Sequence, residues 1–487
     1  MHERICYTNR TFEKTEELIL EQKKTFEIDF GAPCHVYFIG IGGVSMSGLA
    51  HILKDRGFTV SGSDRAPSEM TEMLEQQGIQ VRYGQKEENI TGSAVPIDLI
   101  VYTAAVHPDN PEYAAAVAQN IPMLSRAELL GQLMKTYDTP IAVSGTHGKT
   151  TTTSMLSEIF MTAELDPTLL IGGVYAGIGS NTRIGKSPYL VTEACEYTNS
   201  FHSFYPKYAC ILNVEADHMD FFKNLDEIYD SFHHFAKLLP ADGTLVIGSD
   251  IDVFGRLTKD LSCEILTFGE KETDDVRATD ITYDEKGNAA FVLHAKSDAG
   301  TALPVRLRVP GHHNVLNALA AFALARKAGV DAQTVVKGLE RFQGAHRRFE
   351  VKGVWQGVTI VDDYAHHPTE IAATLRAAER TPHNTVWCVF QPHTYTRTKV
   401  FLHAFAKALK HADHVVLLPI YAAREQDVYG VSSADLCEEI RSMGGECTLL
   451  DTFENVKHFL AENCHKDDLL ITMGAGDVTK IGEELLS

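Results

Sequence analysis

The feature of this sequence that most constrains its fold is a buried strand that runs through a turn into a helical segment. The pattern begins at His35, starts again at Pro140 and starts a third time at Val358. Short apolar strands that alternate with helices predict parallel sheets covered on both faces, because each crossover must return the chain to the same edge. The sequence therefore predicts an α/β protein built from three such units in series.

We place the domain boundaries where this pattern restarts. They define an N-terminal extension and three domains, over residues 1–33, 34–137, 138–343 and 344–487. The extension is polar and has a helical pattern at residues 16–24. Short alternating runs between residues 271 and 310 predict an antiparallel patch in the second domain.

The composition excludes several classes of protein. The 487 residues carry 44 Lys and Arg against 65 Asp and Glu, and the net charge of −21 disfavours nucleic acid and anionic membranes as partners. The nine cysteines are scattered without a C-x-x-C pair, and no segment has the length of a membrane helix or a secretory signal. We therefore expect a cytoplasmic protein with no nucleic-acid or membrane partner.

The strongest local motif is GTHGKTT at residues 145–151, which we call the second glycine loop. Backbone N–H groups of such a loop bind phosphate oxygens, a lysine neutralises their charge and a hydroxyl reaches Mg²⁺. These roles fall to Lys149 and Thr150. The usual phosphate loop has a longer spacing between its glycines, so a glycine turn with an exposed lysine is the alternative. The strand–loop–helix context favours nucleotide binding.

Another glycine-rich turn, GIGGVSMSG at residues 40–48, follows the first strand, and we call it the first glycine loop. Asp64 ends the next strand, where dinucleotide-binding proteins place an acid that binds ribose. The last glycine stands at the wrong spacing for NAD. This pattern predicts a ligand that contains a pyrophosphate but is not NAD.

Acid and imidazole side chains follow two further predicted strands. They are Glu193 and Glu196 in EACEYTNS, and Glu215, Asp217 and His218 in NVEADHMD. Because the carboxyl ends of parallel strands share one edge of a sheet, we expect both groups beside the second glycine loop. Thr150, Glu193 and His218 are the favoured ligands for one or two Mg²⁺ ions. Any one acid alone is more typical of a helix cap or a solvated loop.

The last third of the chain contains three polar strings, Arg347–Arg348, DDYAHHPTE (362–370) and FQPHTYTRT (390–398). Arginine, histidine and aspartate in neighbouring loops suit a site that handles anions and protons, although each string alone is also typical of a solvated loop. His312, His313, Asn314 and Asn317 begin an apolar helix. They either contact adenine or simply cap that helix.

These strings, together with RRFE, occur in one order, and the chain after residue 33 resembles the Mur ligases. The resemblance implies an N-terminal UDP-binding Rossmann-like domain, a central P-loop-type ATPase domain, and a C-terminal Rossmann-like domain that closes over the site. The implied ATP-binding residues are Gly145, Thr146, His147, Gly148, Lys149, Thr150, Thr151, His313, Asn314, Asn317, Arg348 and Asp363. We assign the UDP-sugar to Gly40, Gly42, Gly43, Ser47 and Asp64. Tyr364, His366 and Arg397 would form the amino-acid pocket, and Lys149, His366 and Arg397 would be catalytic.

The resemblance implies ATP-dependent ligation of L-alanine to UDP-N-acetylmuramate through an acyl phosphate, in peptidoglycan biosynthesis. A recycling branch of the family, which attaches a whole tripeptide, is the alternative within the class. A nucleotide-dependent regulatory module without ligase activity is the alternative outside it. Thr394 stands where an arginine is common in the family, and Ser45 where a glycine is common. We expect the first departure to remove an anion contact and the second to alter the first glycine loop.

Overall fold

The computed structural model describes residues 26–298, 301–423 and 425–487. The helical pattern at residues 16–24 lies outside the described residues. The chain divides into two compact units, Met1–Gln132 and Leu133–Ser487. The domain boundaries at residues 33/34, 137/138 and 343/344 stay predictions.

The first unit is built on one parallel sheet with the strand order β3-β2-β1-β4-β5. Its strands are β1 (His35–Ile39), β2 (Thr59–Asp64), β3 (Gln80–Tyr83), β4 (Leu99–Tyr102) and β5 (Met123–Ser125). The connecting helices are α1 (Val44–Asp55), α2 (Glu69–Gln76), α3 (Glu88–Thr91) and α4 (Pro111–Ala118), and α5 (Arg126–Met134) follows β5. The strand order reverses between β1 and β4, which opens a crevice at the carboxyl ends of the strands.

The second unit begins with a ten-stranded sheet in the order β15-β14-β13-β12-β11-β10-β6-β9-β7-β8. Its strands are β6 (Thr139–Ser144), β7 (Thr168–Tyr175), β8 (Ser180–Arg183), β9 (Tyr189–Ala194), β10 (Tyr208–Ile211), β11 (Thr244–Gly248), β12 (Glu264–Gly269), β13 (Val276–Tyr283), β14 (Asn288–Ala295) and β15 (Ala302–Pro310). The antiparallel patch predicted between residues 271 and 310 is confirmed, because β13, β14 and β15 pair antiparallel.

Helices cover this sheet and bury its core. They are α6 (Lys149–Thr162), α7 (Leu225–Lys237), α8 (Phe254–Leu257), α9 (His313–Lys327) and α10 (Ala332–Arg341), with 3-10 turns at Tyr197–Ser203 and Lys296–Asp298. The apolar residues of α9 pack with those of α6 and the sheet in one cluster. Burying this apolar surface is the main stabilising contribution, about 25 cal/mol for each Å² removed from water.

The last sheet has the order β16-β17-β21-β18-β19-β20 and is parallel except for the β16–β17 pair. Its strands are β16 (Glu350–Trp355), β17 (Val358–Asp363), β18 (Val386–Phe390), β19 (His414–Leu417), β20 (Glu446–Leu449) and β21 (Leu469–Met473). The helices are α11 (Pro368–Ala378), α12 (Tyr395–Leu409), α13 (Ser433–Ser442), α14 (Phe453–Asn463) and α15 (Thr479–Leu486). The third α/β unit expected from the sequence is confirmed.

Two predicted strands are shorter in the structure. The strand predicted from residue 97 to 105 ends at Tyr102, because Thr103 begins a turn that Val106 N–H closes. The strand predicted through NVEADH ends at Ile211, because Asn213 leaves the sheet and binds the second glycine loop instead. Among the described residues, no helix has the length and apolarity needed to cross a membrane.

Candidate active site

The second glycine loop connects β6 to α6 and is held open by Asn213. The carbonyl oxygen of Asn213 accepts the Thr146 N–H at 3.1 Å, and its Oδ1 accepts the His147 N–H at 2.8 Å. Gly148 has a φ of +82°, and a Cβ there would lie 2.6 Å from Asn317 Oδ1. Glycine is therefore required both for the backbone conformation and for the close approach of the loop to α9.

The start of α6 offers backbone donors to an anion. No side chain of the described residues caps this helix at Gly148. The N–H groups of the first helical turn have no partner within a helix, and the helix dipole adds positive potential there. A phosphate therefore fits at this position, as the motif predicts.

Lys149 lies across the second glycine loop. Its Nζ donates to the carbonyl oxygen of Gly145 at 2.5 Å and to that of Thr146 at 3.0 Å, and it pairs with Glu196 Oε2 at 3.0 Å. Burial alone would lower the pKa of Lys149, but the Glu196 carboxylate raises it above its ordinary value. The lysine is therefore a largely buried cation, and the alternative of a glycine turn with an exposed lysine is wrong.

Thr150 and Glu193 lie together, as the predicted magnesium site requires. Thr150 Oγ1 donates to Glu193 Oε2 at 3.1 Å, and Glu193 Oε1 accepts the Gly172 N–H at 2.5 Å. Burial raises the pKa of Glu193. A carboxylate and a hydroxyl are hard oxygen donors of the kind that Mg²⁺ prefers, so this pair fits the ion.

His218 is the third predicted metal ligand, and it lies in the same electrostatic environment. Burial lowers its pKa, and the charges of Glu196 and Lys149 also act on it. Its ring lies against that of Tyr197, with the centroids 4.7 Å apart and the ring planes tilted by 37°, and its backbone φ is +53°. No hydrogen bond or ion pair among the described residues joins His218 to Thr150 or Glu193, so its part in the metal site stays a prediction.

A cavity of about 420 Å³ opens beside the second glycine loop. Eight of the predicted ATP-binding residues line it: His147, Gly148, Thr151, His313, Asn314, Asn317, Arg348 and Asp363. The remaining wall includes the segment 248–252 and the residues Phe268 and Gly269, which the sequence analysis did not single out. A volume of this size suits a small-molecule ligand that extends away from the α6 start.

The start of α9 forms one wall of that cavity. Asn314 Nδ2 donates to the Pro310 carbonyl oxygen at 2.7 Å, and Asn317 Nδ2 donates to Asn314 Oδ1 at 3.1 Å. Burial lowers the pKa of His313 to about 4, so its imidazole is neutral. The helix-cap interpretation of these residues is wrong, because no side chain of the described residues caps α9 at His312.

His147 connects the second glycine loop to two acids. Its Nδ1 lies 3.3 Å from Glu370 Oε1 and its Nε2 lies 3.5 Å from Glu215 Oε2. Burial alone would lower the pKa of His147, but the nearby carboxylates of Glu215 and Glu370 raise it to about 9. Thr369 Oγ1 also donates to Glu215 Oε2 at 2.5 Å. These contacts fasten the start of α11 to the second glycine loop.

His147, Glu215 and His367 lie close enough together to suggest a metal site. His367 Nδ1 accepts the Thr369 N–H at 3.3 Å, however, which caps α11, and His367 Nε2 lies 3.0 Å from the Ala216 carbonyl oxygen. Since Nδ1 is the acceptor, Nε2 carries the proton. Both ring nitrogens are therefore engaged, and we interpret this group as one that connects the loop after β10 to the start of α11.

We expect the stabilisation by His147 to disappear in alkaline solution. The histidine has a folded pKa of about 9 against an ordinary 6.5, so its contribution is complete below pH 6.5 and is lost as the pH rises through 9. A shift of this size corresponds to a contribution on the order of 3 kcal/mol. The difference in Tm between wild type and His147→Gln should be largest near pH 6 and shrink toward pH 10. A difference that stays constant over this range would mean that His147 is neutral in the folded protein.

The two arginines before β16 have different partners. Arg347 Nε donates to Asp362 Oδ2 at 2.8 Å, and its Nη2 donates to the Gly474 carbonyl oxygen at 2.7 Å, so Arg347 supports the sheet. Arg348 lies on the cavity wall with its Nη1 3.7 Å from Glu370 Oε1. Both guanidinium groups lie over the ring of Tyr364, 5.0 and 5.3 Å from its centroid.

Asp363 holds the segment that carries these arginines. Its Oδ2 accepts the Phe349 N–H at 2.8 Å and its Oδ1 accepts the Ala365 N–H at 2.7 Å. Burial raises the pKa of Asp363 to about 6. Asp363 lines the cavity and also orders the loops on either side of it, and its contact with a nucleotide stays a prediction.

His366 and Arg397 lie in the C-terminal part of the second unit, and each contacts an acidic side chain. Burial lowers the pKa of His366 to about 4, and its Nδ1 lies 2.9 Å from the Tyr364 carbonyl oxygen and 3.4 Å from Glu370 Oε2. Arg397 donates to Asp217 Oδ1 through Nε at 3.1 Å and Nη2 at 2.8 Å. The predicted carboxylate-binding arginine is therefore paired with a carboxylate of the protein.

Thr394 has a structural use that the sequence analysis did not identify. Its Oγ1 accepts the Arg397 N–H at 3.4 Å and so caps α12, the helix that carries Arg397. Its φ is +66°, an unfavourable value for a β-branched residue, and its N–H donates to the Tyr421 carbonyl oxygen at 2.9 Å.

In the first unit, the first glycine loop lies between β1 and α1. Asp64 Oδ2 accepts the Gly42 N–H at 2.8 Å, and a Cβ on Gly42 would lie 2.7 Å from Thr71 Cγ2. Ser47 Oγ donates to the Val44 carbonyl oxygen at 2.9 Å, within the first turn of α1. Gly40 has a φ of +83° and turns the chain out of β1.

Sequence reasoning missed Glu370 and Arg126. Glu370 stands four residues after His366, a helical spacing that could have indicated their contact. Arg126 Nη1 donates to Ser45 Oγ at 3.0 Å, so the serine that departs from the family pattern fixes a cation beside the first glycine loop. The available sequence signal for Arg126 was its place directly after β5, at the start of α5.

Comparison with known proteins gives three adjoining family matches. The Mur ligase family catalytic domain matches residues 35–138, the Mur ligase middle domain matches 143–325, and the Mur ligase glutamate ligase domain matches 347–476. The UDP-N-acetylmuramate–L-alanine ligase of Lachnospira eligens is 54% identical over 462 residues, covering 95% of this chain and 100% of the relative. The ligase of the same name from Agathobacter rectalis is 53% identical and covers 95% and 99%.

Two solved structures are similar over nearly the same length. UDP-N-acetylmuramate-alanine ligase MurC from Thermotoga maritima has a TM-score of 0.78 at 28% identity, covering 93% of this chain and 98% of that one. A murein peptide ligase from Psychrobacter arcticus has a TM-score of 0.71 at 26% identity, with the same coverage.

The fold and the cavity beside a glycine loop with a buried lysine define an α/β enzyme that handles nucleotide phosphates. The three family matches and the two relatives identify the family to which this enzyme belongs. The chain belongs to the Mur ligase family of ATP-dependent ligases of peptidoglycan synthesis.

Proposed function

We propose that this protein joins L-alanine to UDP-N-acetylmuramate at the expense of ATP, through an acyl phosphate. The observation that carries this proposal is the second glycine loop, where a buried lysine, a threonine–glutamate pair and a cavity lie together. The names of the relatives, at more than half identity, support the choice of substrates. We assign UDP-sugar binding to residues 34–137, ATP binding to 138–343 and amino-acid binding to 344–487.

The first chemical task is to activate a carboxylate. Resonance and negative charge make a carboxylate a poor electrophile, and its conversion to an acyl phosphate supplies a good leaving group. Transfer of a phosphoryl group between two anions requires neutralisation of charge. Lys149 would turn from the loop carbonyl oxygens to the γ-phosphate, while the α6 amides hold the other phosphates. Mg²⁺ bound to Thr150 and Glu193 would supply further positive charge.

The second task is attack by the amine of the amino acid. His366 Nδ1 lies at 2.9 Å from the Tyr364 carbonyl oxygen, to which it donates when the ring is neutral, and this leaves Nε2 as the basic nitrogen. The adjacent Glu370 carboxylate would stabilise the imidazolium that forms when Nε2 accepts the proton. We therefore propose His366 as the base and Glu370 as the residue that orients it.

The amino acid also needs a partner for its α-carboxylate. In this structure Arg397 binds Asp217 Oδ1 through Nε and Nη2, so a substrate carboxylate would have to displace Asp217 or bind another edge of the guanidinium. We propose that the substrate carboxylate binds this guanidinium, with Tyr364 and His366 lining the pocket. A small pocket discriminates alanine from glycine by only about 1–3 kcal/mol, so we expect glycine and serine as weaker substrates.

UDP-N-acetylmuramate is assigned to the first glycine loop, with Gly40, Gly42, Gly43, Ser47 and Asp64. Its diphosphate would bind the amides at the start of α1, and the Arg126 guanidinium beside Ser45 would add a positive charge.

The magnesium assignment predicts that three substitutions differ in their effect on the Mg²⁺ concentration that the enzyme requires. Glu193→Ala and His218→Ala should each raise the Mg²⁺ concentration that gives half-maximal activity by about tenfold or more. Glu196→Ala is the matched control, because Glu196 pairs with Lys149 and should alter turnover rather than the Mg²⁺ requirement. If Mg²⁺ titrations of the Glu193 and His218 variants match wild type, both residues are structural.

One assay separates the proposed function from its alternatives. Phosphate release and product mass are measured with ATP and UDP-N-acetylmuramate, adding L-alanine or L-Ala-γ-D-Glu-meso-diaminopimelate. We expect release only when the sugar nucleotide and alanine are both present. Efficient joining of the tripeptide but not alanine would identify the recycling reaction. Phosphate release from ATP alone, without UDP-N-acetylmuramate and without an amine substrate, would indicate a regulatory ATPase.

A further inference from the structure

The first unit contains a buried carboxylate that the proposed reaction does not use. Glu112, in the first turn of α4, has no exposed surface. Three neutral side-chain donors meet its carboxylate: Tyr37 Oη and Asn89 Nδ2 bind Oε1 at 2.9 and 2.5 Å, and Ser63 Oγ binds Oε2 at 2.5 Å. A buried carboxylate is costly unless its hydrogen bonds are satisfied, so this network requires all three donors.

One of those donors leads directly to the first glycine loop. Ser63 lies near the end of β2, and its carbonyl oxygen accepts the N–H groups of both Gly40 and Ile41, each at 2.9 Å. The Ser63 hydroxyl donates a hydrogen bond to Glu112 Oε2. Ser63 is therefore fixed on one side by the carboxylate, and on the other side it fixes the turn that leads the chain out of β1.

A second donor leads to Asp64 by a parallel route. Asn89 Nδ2 also donates to the Gly84 carbonyl oxygen at 2.9 Å, and the Gly84 N–H donates to the Asp64 carbonyl oxygen at 2.8 Å. Asp64 in turn accepts the Gly42 N–H through its side chain at 2.8 Å. Both routes from Glu112 end on backbone N–H groups of the first glycine loop.

We propose that Glu112 is a positioning residue that holds the first glycine loop in the shape that binds the diphosphate of the sugar nucleotide. This inference rests on the function proposed above. Binding of an anion by backbone amides depends on their direction, so a small rotation of Gly40–Gly42 weakens it. Glu112 acts through Ser63 and Asn89 and does not itself touch the ligand.

The test compares Glu112→Gln with a matched variant in the same unit. Glutamine keeps the size of the side chain but places an amide group against a donor that needs an acceptor. His35→Gln is the control, because His35 is also buried and connects the Pro96 carbonyl oxygen to Ser61 Oγ, each at 2.8 Å, without contact to the first glycine loop. Both variants should lower Tm.

Titration calorimetry on the full chain with UDP-N-acetylmuramate and with a non-hydrolysable ATP analogue distinguishes them. We expect Glu112→Gln to raise the Kd for the sugar nucleotide by about tenfold and to leave the Kd for the ATP analogue unchanged. His35→Gln should change neither Kd. Equal effects of both variants on sugar-nucleotide binding, or no effect of Glu112→Gln, would overturn the inference.

Ser63→Ala provides a second test of the inference if Glu112→Gln does not fold. It keeps the carbonyl oxygen that binds the first glycine loop and removes the hydroxyl that binds Glu112, so it should raise the same Kd. Where both variants fold, the double variant should raise the Kd less than the product of the single effects. Fully independent effects would contradict the network. A wild-type protein that does not bind UDP-N-acetylmuramate would overturn the proposed function itself.

Discussion

Lys149→Met is expected to lower the turnover number by about 10³-fold or more while the protein stays folded. Lys149 is the cation that lies across the second glycine loop, and its removal leaves the charge of the transferring phosphoryl group without its main side-chain partner. The measurement is phosphate release at saturating substrates, with Tm recorded on the same samples. Activity within tenfold of wild type would contradict the assignment.

The structure supplies the control for this experiment. Lys149 pairs with Glu196, which is almost fully buried, so Lys149→Met alone leaves an uncompensated carboxylate. The double variant Lys149→Met/Glu196→Gln removes that charge and should recover Tm without recovering activity. Recovery of both would show that the lysine serves only to neutralise Glu196.

Arg397→Ala is expected to raise the KM for L-alanine by about 10²-fold and to leave the KM for ATP nearly unchanged. An arginine that binds a carboxylate through two N–H groups contributes a few kcal/mol, and it also orients the amine for attack. Initial rates are measured over a range of alanine concentrations, with UDP-N-acetylmuramate and ATP saturating. A parallel rise in both KM values would indicate a general loss of structure.

The buried Asp217 must be controlled for in this variant too. Burial alone would raise the pKa of Asp217, but His218 and Arg397 hold it well below its usual range, so removing Arg397 leaves a buried charge. Asp217→Asn/Arg397→Ala removes both charges and should restore Tm but not the KM for alanine. If the double variant restores the KM as well, the pair is structural and the α-carboxylate binds elsewhere.

Much of this architecture follows from local sequence. The β6 strand is apolar and the following GTHGKTT can only leave it as a glycine turn, so strand, loop and helix are predictable from neighbouring residues. The same holds for the first glycine loop, and for the apolar helix α9, whose composition requires burial on most sides. Such features are local because hydrophobic periodicity and glycine conformation act within a few residues.

The sequence by itself determined the alternating α/β pattern, the two glycine loops and the residue types available for phosphate and metal chemistry. Only the tertiary structure decided which of them meet: Lys149 with Glu196, His147 with Glu215 and Glu370, and Arg397 with Asp217. The Arg397 and Asp217 side chains are separated by 180 residues, and Glu112 meets Ser63 across 49. Which buried charges form pairs depends on which ends of the strands lie side by side. This strand order is a property of the whole packed chain.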